Sequence, residues 1–341
     1  MTLQTIVTGR RARARHRGRV IAMLAITVVA AYAVTLMVGQ TFYGPAEVVD
    51  VILGQQVPGA SFTVGTLRLP RATLGLLTGF AFGLAGVTFQ TLLRNPLASP
   101  DVIGISAGAS AAAVFAGVTL GLGEQSVSIF ALVAALVTAG AIYLLSYKAG
   151  FAGTRLILIG IGVGAMLDSL ITYLLSRAAA WDLQTAMQWL TGSLSGATWE
   201  RVLPVLLVVL VLGPLLISRS RAFAALSLGD DSAQALGVRT DLTRVVMILA
   251  AVTLLAFATA ASGPIAFVAF MAGPIAARLV GPGGSLLLPA GLVGALLVLV
   301  ADLVGQFAFG TRYPVGVITG VLGAPYLVYL LVRTNRAGGS L

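Results

Sequence analysis

The segment LSLGDDSAQALGV, residues 226–238, lies between two of the most apolar stretches of the chain, 202–218 and 242–261. Each flank is long enough to cross a bilayer, whose hydrocarbon core of roughly 30 Å takes about 20 helical residues. Two adjacent acids, a glutamine and a terminating glycine mark the segment between them as a short element outside the membrane. The flanks are then two separate crossings, and the fold class follows from repeating this test along the chain.

The chain is 58% hydrophobic and only 9% charged, and apolar runs near 20 residues recur from end to end. With charges, Pro and Gly marking the ends, ten crossings are predicted: 20–38, 70–92, 98–120, 127–147, 154–176, 202–218, 242–261, 264–281, 285–309 and 314–332. Gly-Pro at 263, 273 and 281 interrupts the eighth. The expected fold is an all-α polytopic membrane protein. Residues 1–19 read as a basic tail, 20–333 as one transmembrane domain and 334–341 as a C-terminal tail.

Basic residues stay on the cytoplasmic side of short loops. With the N-terminus inside, 16 of the 21 Lys and Arg fall inside, and only Arg68, Arg71, Arg177, Arg201 and Arg312 fall outside. Both termini are therefore expected in the cytoplasm, with the chain in the cytoplasmic membrane. The net charge of +10 does not point to nucleic acid, because a bilayer-embedded protein lacks an exposed basic face on which to spread it. The stretch GRRARARHRGR, 9–19, reads as a topology signal with attraction to anionic lipid. No small-residue cleavage site follows the first apolar run, so a removable signal peptide is not expected.

Most enzyme chemistries lack their side chains here. There is no cysteine, the only histidine is His16 in the tail, and the only lysine, Lys148, precedes Ala and Gly. Imidazole and thiolate metal sites, histidine-dependent triads and a P-loop are thereby excluded. Intramembrane carboxylates are few, Asp168 and Asp302 being the clearest, which argues against a carboxylate proton relay. What remains is a transporter that borrows its energy from a partner.

A helix over 228–236 would place Asp230 and Asp231 in its first turn, where negative charge favours the dipole, and Gly237 just past its end. So short a helix is marginal in water, and Ala233 with Leu236 offers a small apolar face on which it can rest. An ordinary solvated loop helix satisfies the same signals.

LGDDSAQALGV resembles the cytoplasmic coupling-helix motif of permeases in the FecCD-type family, the cobalamin and iron-siderophore ABC importers. RLPR (68–71), RNPLASPDVIGISAGAS (94–110), WLTGSLSGATW (189–199), GPIAFVAF (263–270) and YPVGVITGVLGAPYLVYLL (313–331) are similar to that family in the same order, covering about 65–333. The resemblance implies the type II ABC importer permease fold, with ten transmembrane helices per subunit. It implies two cytoplasmic ATPase subunits that carry the ATP and Mg2+, a second permease subunit (a paralogue rather than a self-copy), and an extracytoplasmic binding protein.

Residue by residue, the resemblance assigns Leu228, Gly229, Asp230, Asp231, Ala233, Leu236 and Gly237 to ATPase coupling. The family often has Glu where Asp230 stands. Arg68 and Arg71 would receive acidic residues of the binding protein; interfacial snorkelling is the other reading. Gln306 stands where the family has a third docking arginine, and Arg312 is near enough in sequence to replace it. Within KAGFAGTR (148–155), Gly153 and Thr154 fall at the cytoplasmic gate. Gly160, Gly162 and Gly164 either allow close helix packing or line a path for a bulky ligand, and Asp168 should face that path or a partner group. Residues 271–278 depart from the family pattern, with Pro274 retained as a helix break.

The expected function is the permease subunit of an ABC importer for a ferric siderophore, with no catalytic residue, metal site or cofactor of its own. GPIAFVAF and Gln306 resemble the catecholate-siderophore branch more than the cobalamin branch. Cobalamin or haem import is the nearest alternative. An ion-coupled secondary transporter would leave the acidic loop helix unexplained, and an intramembrane lipid enzyme lacks its His and Cys.

Overall fold

The computed structural model describes residues 3–100, 104–146, 153–226 and 228–336. Among these the chain is helical throughout and lacks strands: α1 (Leu3–Met37), α2 (Pro45–Ile52), α3 (Leu69–Leu92), α4 (Ile105–Val114), α5 (Glu124–Ser146), α6 (Gly153–Ser176), α7 (Ala180–Thr191), α8 (Trp199–Ser218), α9 (Ser220–Leu226), α10 (Asp230–Ala235), α11 (Thr240–Ser262), α12 (Val268–Val280), α13 (Leu287–Phe307) and α14 (Val315–Arg336). A π-helical stretch, Ser61–Arg68, runs directly into α3, and another, Phe115–Thr119, extends α4.

Eight helices are long and apolar enough to cross a membrane, and two shorter apolar ones, Ile105–Thr119 and Val268–Val280, complete the set of ten expected from hydropathy. Four starts differ from expectation: the first helix begins well before 20 and the second span at 61 rather than 70, and the third and eighth begin later. The third crossing does not begin at 98: Asn95 turns the chain, its Oδ1 accepting from Leu97 N at 2.8 Å, and α4 starts at Ile105 after Gly104, whose φ of 82° suits glycine. The eighth begins at 268 rather than 264, because Gly263, Pro264 and the left-handed Phe267 (φ 63°) make a bend.

Pro274 does not break α12; it lies inside the helix. A proline lacks the N–H that its i−4 carbonyl would accept, which deprives Phe270 O of its helical donor. Gln90 of α3 donates Nε2 to that carbonyl at 3.0 Å and satisfies it from a neighbouring helix. The segment that departs from the family pattern is thus served by a glutamine from elsewhere in the fold.

Burial separates a central group from a rim. In the spans that contain α3, α11 and α13, 83%, 72% and 61% of the most apolar stretch is inside the protein, against 22–33% for α1, α5, α6, α8 and α14. Lipid tails are as apolar as Leu, so close packing rather than hydrophobicity holds such helices together. The α3 sequence meets that need with Gly75, Gly79, Gly83 and Gly86. A Cβ on Gly83 would overlap Ala290 O of α13, one on Gly86 would overlap Ala269 O of α12, and Gly79 and Gly294 exclude each other's side chains in the same way. Backbone therefore lies on backbone at the centre. α11 joins this group to α5 and α8, while α4 carries α5 and α6.

α1 is one helix of 35 residues, about 52 Å at 1.5 Å per residue. The basic stretch 10–19 continues the first crossing without interruption, and Arg17 donates Nη1 to Gly283 O at 3.2 Å. α2, α7 and α9 were not anticipated. WLTGSLSG forms a backbone knot between α7, α11 and α14: Ser193 N donates to Ser262 O at 2.7 Å and Gly316 N to Gly192 O at 3.1 Å.

Candidate functional site

Three groups of residues carry the candidate roles, one at each end of the bundle and one between. At the first end, where α3 begins and α13 finishes, Arg71 grips Asp302 through Nε–Oδ2 at 3.0 Å and Nη2–Oδ1 at 2.8 Å. Gln306, one turn along α13, donates to Asp302 Oδ2 at 2.7 Å. The Asp302 side chain is 2% exposed. Such a charge is stable there because all its close partners are donors in good geometry.

Arg68 is equally engaged. It donates Nη1 to Leu36 O and Met37 O, both at 2.9 Å, and Nη2 to Thr41 O at 2.6 Å, over the ring of Tyr43. Leu36 O and Met37 O are carbonyls that the end of α1 leaves without helical partners, and the guanidinium ties that end to the following turn at Thr41. Of the three arginines expected at a docking face, Arg312 alone is exposed and has no hydrogen bond or ion pair among the described residues. Neither the capping role nor the ion pair was legible in RLPR; both partners lie far away in sequence.

Between the ends, a cleft of about 600 Å³ opens beside α6, lined by Ser106 and Ser110 of α4, Gly164, Asp168 and Thr172 of α6, and Pro264. Asp168 is exposed. Helix α6 also exposes large apolar groups such as Leu158 and Ile161, but its uncovered face mixes them with Gly162, Ala165, Ser169 and Thr172. The glycines divide the two roles proposed for them. Gly160 and Gly164 are buried against Gly104, on which a side chain would press within 2.9 Å of Gly160 O, while Gly162 faces open space.

At the second end, Asp230 is the hub. Arg244 of α11 donates Nη2 to Oδ1 at 2.9 Å and Oδ2 at 3.0 Å, and Arg94 reaches Oδ1 at 3.3 Å. Arg94, held at φ 50°, also donates to Leu226 O at 2.9 Å. Its neighbour Leu93 lies where a Cβ on Gly153 would be, within 2.8 Å, so the start of α6 touches the end of α3. Thr154 beside it is exposed, and residues 148–152 of the expected gate lie outside the described residues.

α10 is shorter than the helix expected at 228–236. It ends in a Schellman motif, with Val238 N donating to Ala233 O at 3.0 Å and Gly237 N to Gln234 O at 2.8 Å, Gly237 at φ 79°. Ala233 is fully buried, but Leu236 is not on the packed face as expected. It is 66% exposed, as is Leu228 at 65%, so two leucines stand outward on either side of the helix. Asp231 is exposed beside them.

Comparison with known proteins gives this arrangement its family. The ferric enterobactin transport system permease protein FepG of Escherichia coli is 41% identical over 308 residues, 89% of this chain and 90% of that one. The iron(3+)-hydroxamate import system permease protein FhuG of Bacillus subtilis is 34% identical over 326 residues, 93% and 97% of the two chains. A solved metal-chelate-type ABC transporter in an inward-facing conformation superimposes with a TM-score of 0.83 at 27% identity, covering 93% of this chain and 99% of its own. The profile of the FecCD transport family matches residues 24–333, and with relatives alike over nearly their whole length, this chain belongs to that family as a multi-pass permease.

Proposed function

We propose that this chain is the permease through which an ABC importer carries a ferric siderophore, driven by ATP and Mg2+ on two separate cytoplasmic ATPase subunits. The observation that carries the reading is the Asp230 hub. A short helix joined by ion pairs to both α11 and the end of α3, with Leu228, Asp231 and Leu236 left facing outward, is built to receive a push and pass it on. The push reaches α6 through Arg94 and Leu93 against Gly153, and α6 lines the cleft.

In this reading the Asp230 end faces the cytoplasm, as the excess of arginine there requires, and both termini are inside. The Arg71 end faces outward. Arg312 meets the acidic surface of an extracytoplasmic binding protein, while Arg68 and Arg71 shape the rim on which it sits. Because the exposed face of α6 mixes Asp168, Ser169 and Thr172 with its apolar groups and needs a cover that is not lipid alone, a second permease subunit, a paralogue, completes the path. Gly153 and Thr154 stand at its cytoplasmic gate.

The coupling assignment is tested with Leu228→Ser, Asp231→Lys and Leu236→Ser in the assembled complex. These residues touch nothing essential to the fold, so the variant should insert normally yet lose at least about tenfold of ATP-driven uptake, a loss of about 1.4 kcal/mol in coupling. Uptake equal to wild type would remove the assignment.

A further inference from the structure

Three charge-bearing features lie along α6. Arg155 near its start donates to Ser146 O at 3.3 Å, Asp168 faces the cleft, and Arg177, just past its end, stacks over Tyr173 at 5.0 Å. Asp168 is about 20 Å from Arg155 and about 14 Å from Arg177 along the helix axis, at 1.5 Å per residue. Both distances exceed the Debye length of about 8 Å at physiological salt, so neither cation neutralises the carboxylate. Across the cleft the polar groups are the hydroxyls of Ser106, Ser110 and Thr172; the lining holds no Lys, Arg or His. A carboxylate in the middle of a crossing is costly against hydrocarbon and stable against water, and the open cleft is where that water lies.

We infer that the middle of this path carries fixed negative charge, and that it therefore favours a neutral or cationic ferric trihydroxamate as cargo over a trianionic ferric tris-catecholate. The inference rests on the reading of the cleft as the transport path. The chemistry is simple: three hydroxamates cancel the charge of ferric iron and a free amine makes the complex cationic, whereas three catecholates leave three negative charges on the chelate. At about 7 Å in water with the same screening, each unit of like charge slows passage about one-and-a-half-fold, and three units together about three- to fourfold. Similarity to an enterobactin permease and to a hydroxamate permease leaves both cargoes open, and Asp168 decides between them on electrostatic grounds.

The test uses the whole complex in liposomes, with its second permease, ATPase and binding protein, and radioactive iron supplied as a cationic trihydroxamate or as a tris-catecholate. Binding-protein affinity for each chelate is measured separately, so that uptake is compared at equal occupancy. Wild type should favour the trihydroxamate. Asp168→Asn, close in size and at an exposed position, should raise tris-catecholate uptake about fivefold relative to the cationic trihydroxamate, from which it differs by four units of charge, and Asp168→Lys should raise it further. An unchanged ratio in both variants, or a fall in relative tris-catecholate uptake, overturns the inference while leaving the importer intact. Uptake of either chelate that ignores ATP overturns the importer reading itself.

Discussion

At the scale of the single residue, the first end of the bundle shows how much a partner alters what an arginine does. Arg71 is bound through two nitrogens to an aspartate 231 positions away, and Arg68 closes the end of α1. Breaking a buried pair by removing one side leaves a charge without compensation and costs about 3–5 kcal/mol. Asp302→Ala should therefore lower the melting temperature of the detergent-solubilised protein sharply. Asp302→Asn, which keeps a carbonyl for Gln306 and Arg71, should lower it less; equal melting of all three proteins would show the pair to be idle. Arg68 and Arg71 are expected at a docking surface because RLPR resembles the family's docking motif, and nothing in RLPR announces Asp302 or the carbonyls of α1. Arg312 by contrast has the exposure such a surface needs.

At the scale of the element, the central contact of α3 with α12 and α13 depends on glycines at positions where backbones touch. Overpacking a well-filled site costs typically about 1–3 kcal/mol where side chains can shift, and here a carbonyl oxygen stands in the way. Gly83→Val should abolish a monodisperse peak in size-exclusion chromatography. Gly162→Ala, with nothing within 4 Å, should leave it unchanged. Both glycines lie in apolar helices, and the sequence offers the same residue at each; the difference lies only in which helix stands opposite. Helix α10 teaches the converse. Its acids, its short length and its terminating Gly237 were readable from thirteen residues, yet the split between a paired, half-exposed Asp230 and an outward Asp231 depends on Arg94 and Arg244.

At the scale of the whole molecule, the claim that matters most is direction. The chain contains no cysteine, so a single one introduced at Leu228 or at Arg312 reports its own side of the membrane without background. Both positions are exposed and distant from the buried contacts. In sealed right-side-out vesicles, a membrane-impermeant thiol reagent should label Arg312→Cys and spare Leu228→Cys, and inverted vesicles should reverse the pattern. Labelling of both from one side would refute the proposed orientation and with it the path from α10 to the cleft.

Hydropathy sufficed for the class of protein and for the place of each apolar helix along the chain, because the cost of apolar surface in water and of polar backbone in lipid is written locally, residue by residue. It also located the short acidic element between the sixth and seventh crossings. Only the tertiary structure decided which helices are central, which arginines are bound within the fold, how Gln90 serves the carbonyl that Pro274 leaves open, and that Asp168 faces a cleft. Those outcomes depend on groups brought together from distant parts of the chain, and a carboxylate has no intrinsic preference between an ion pair and open water until its neighbours are in place.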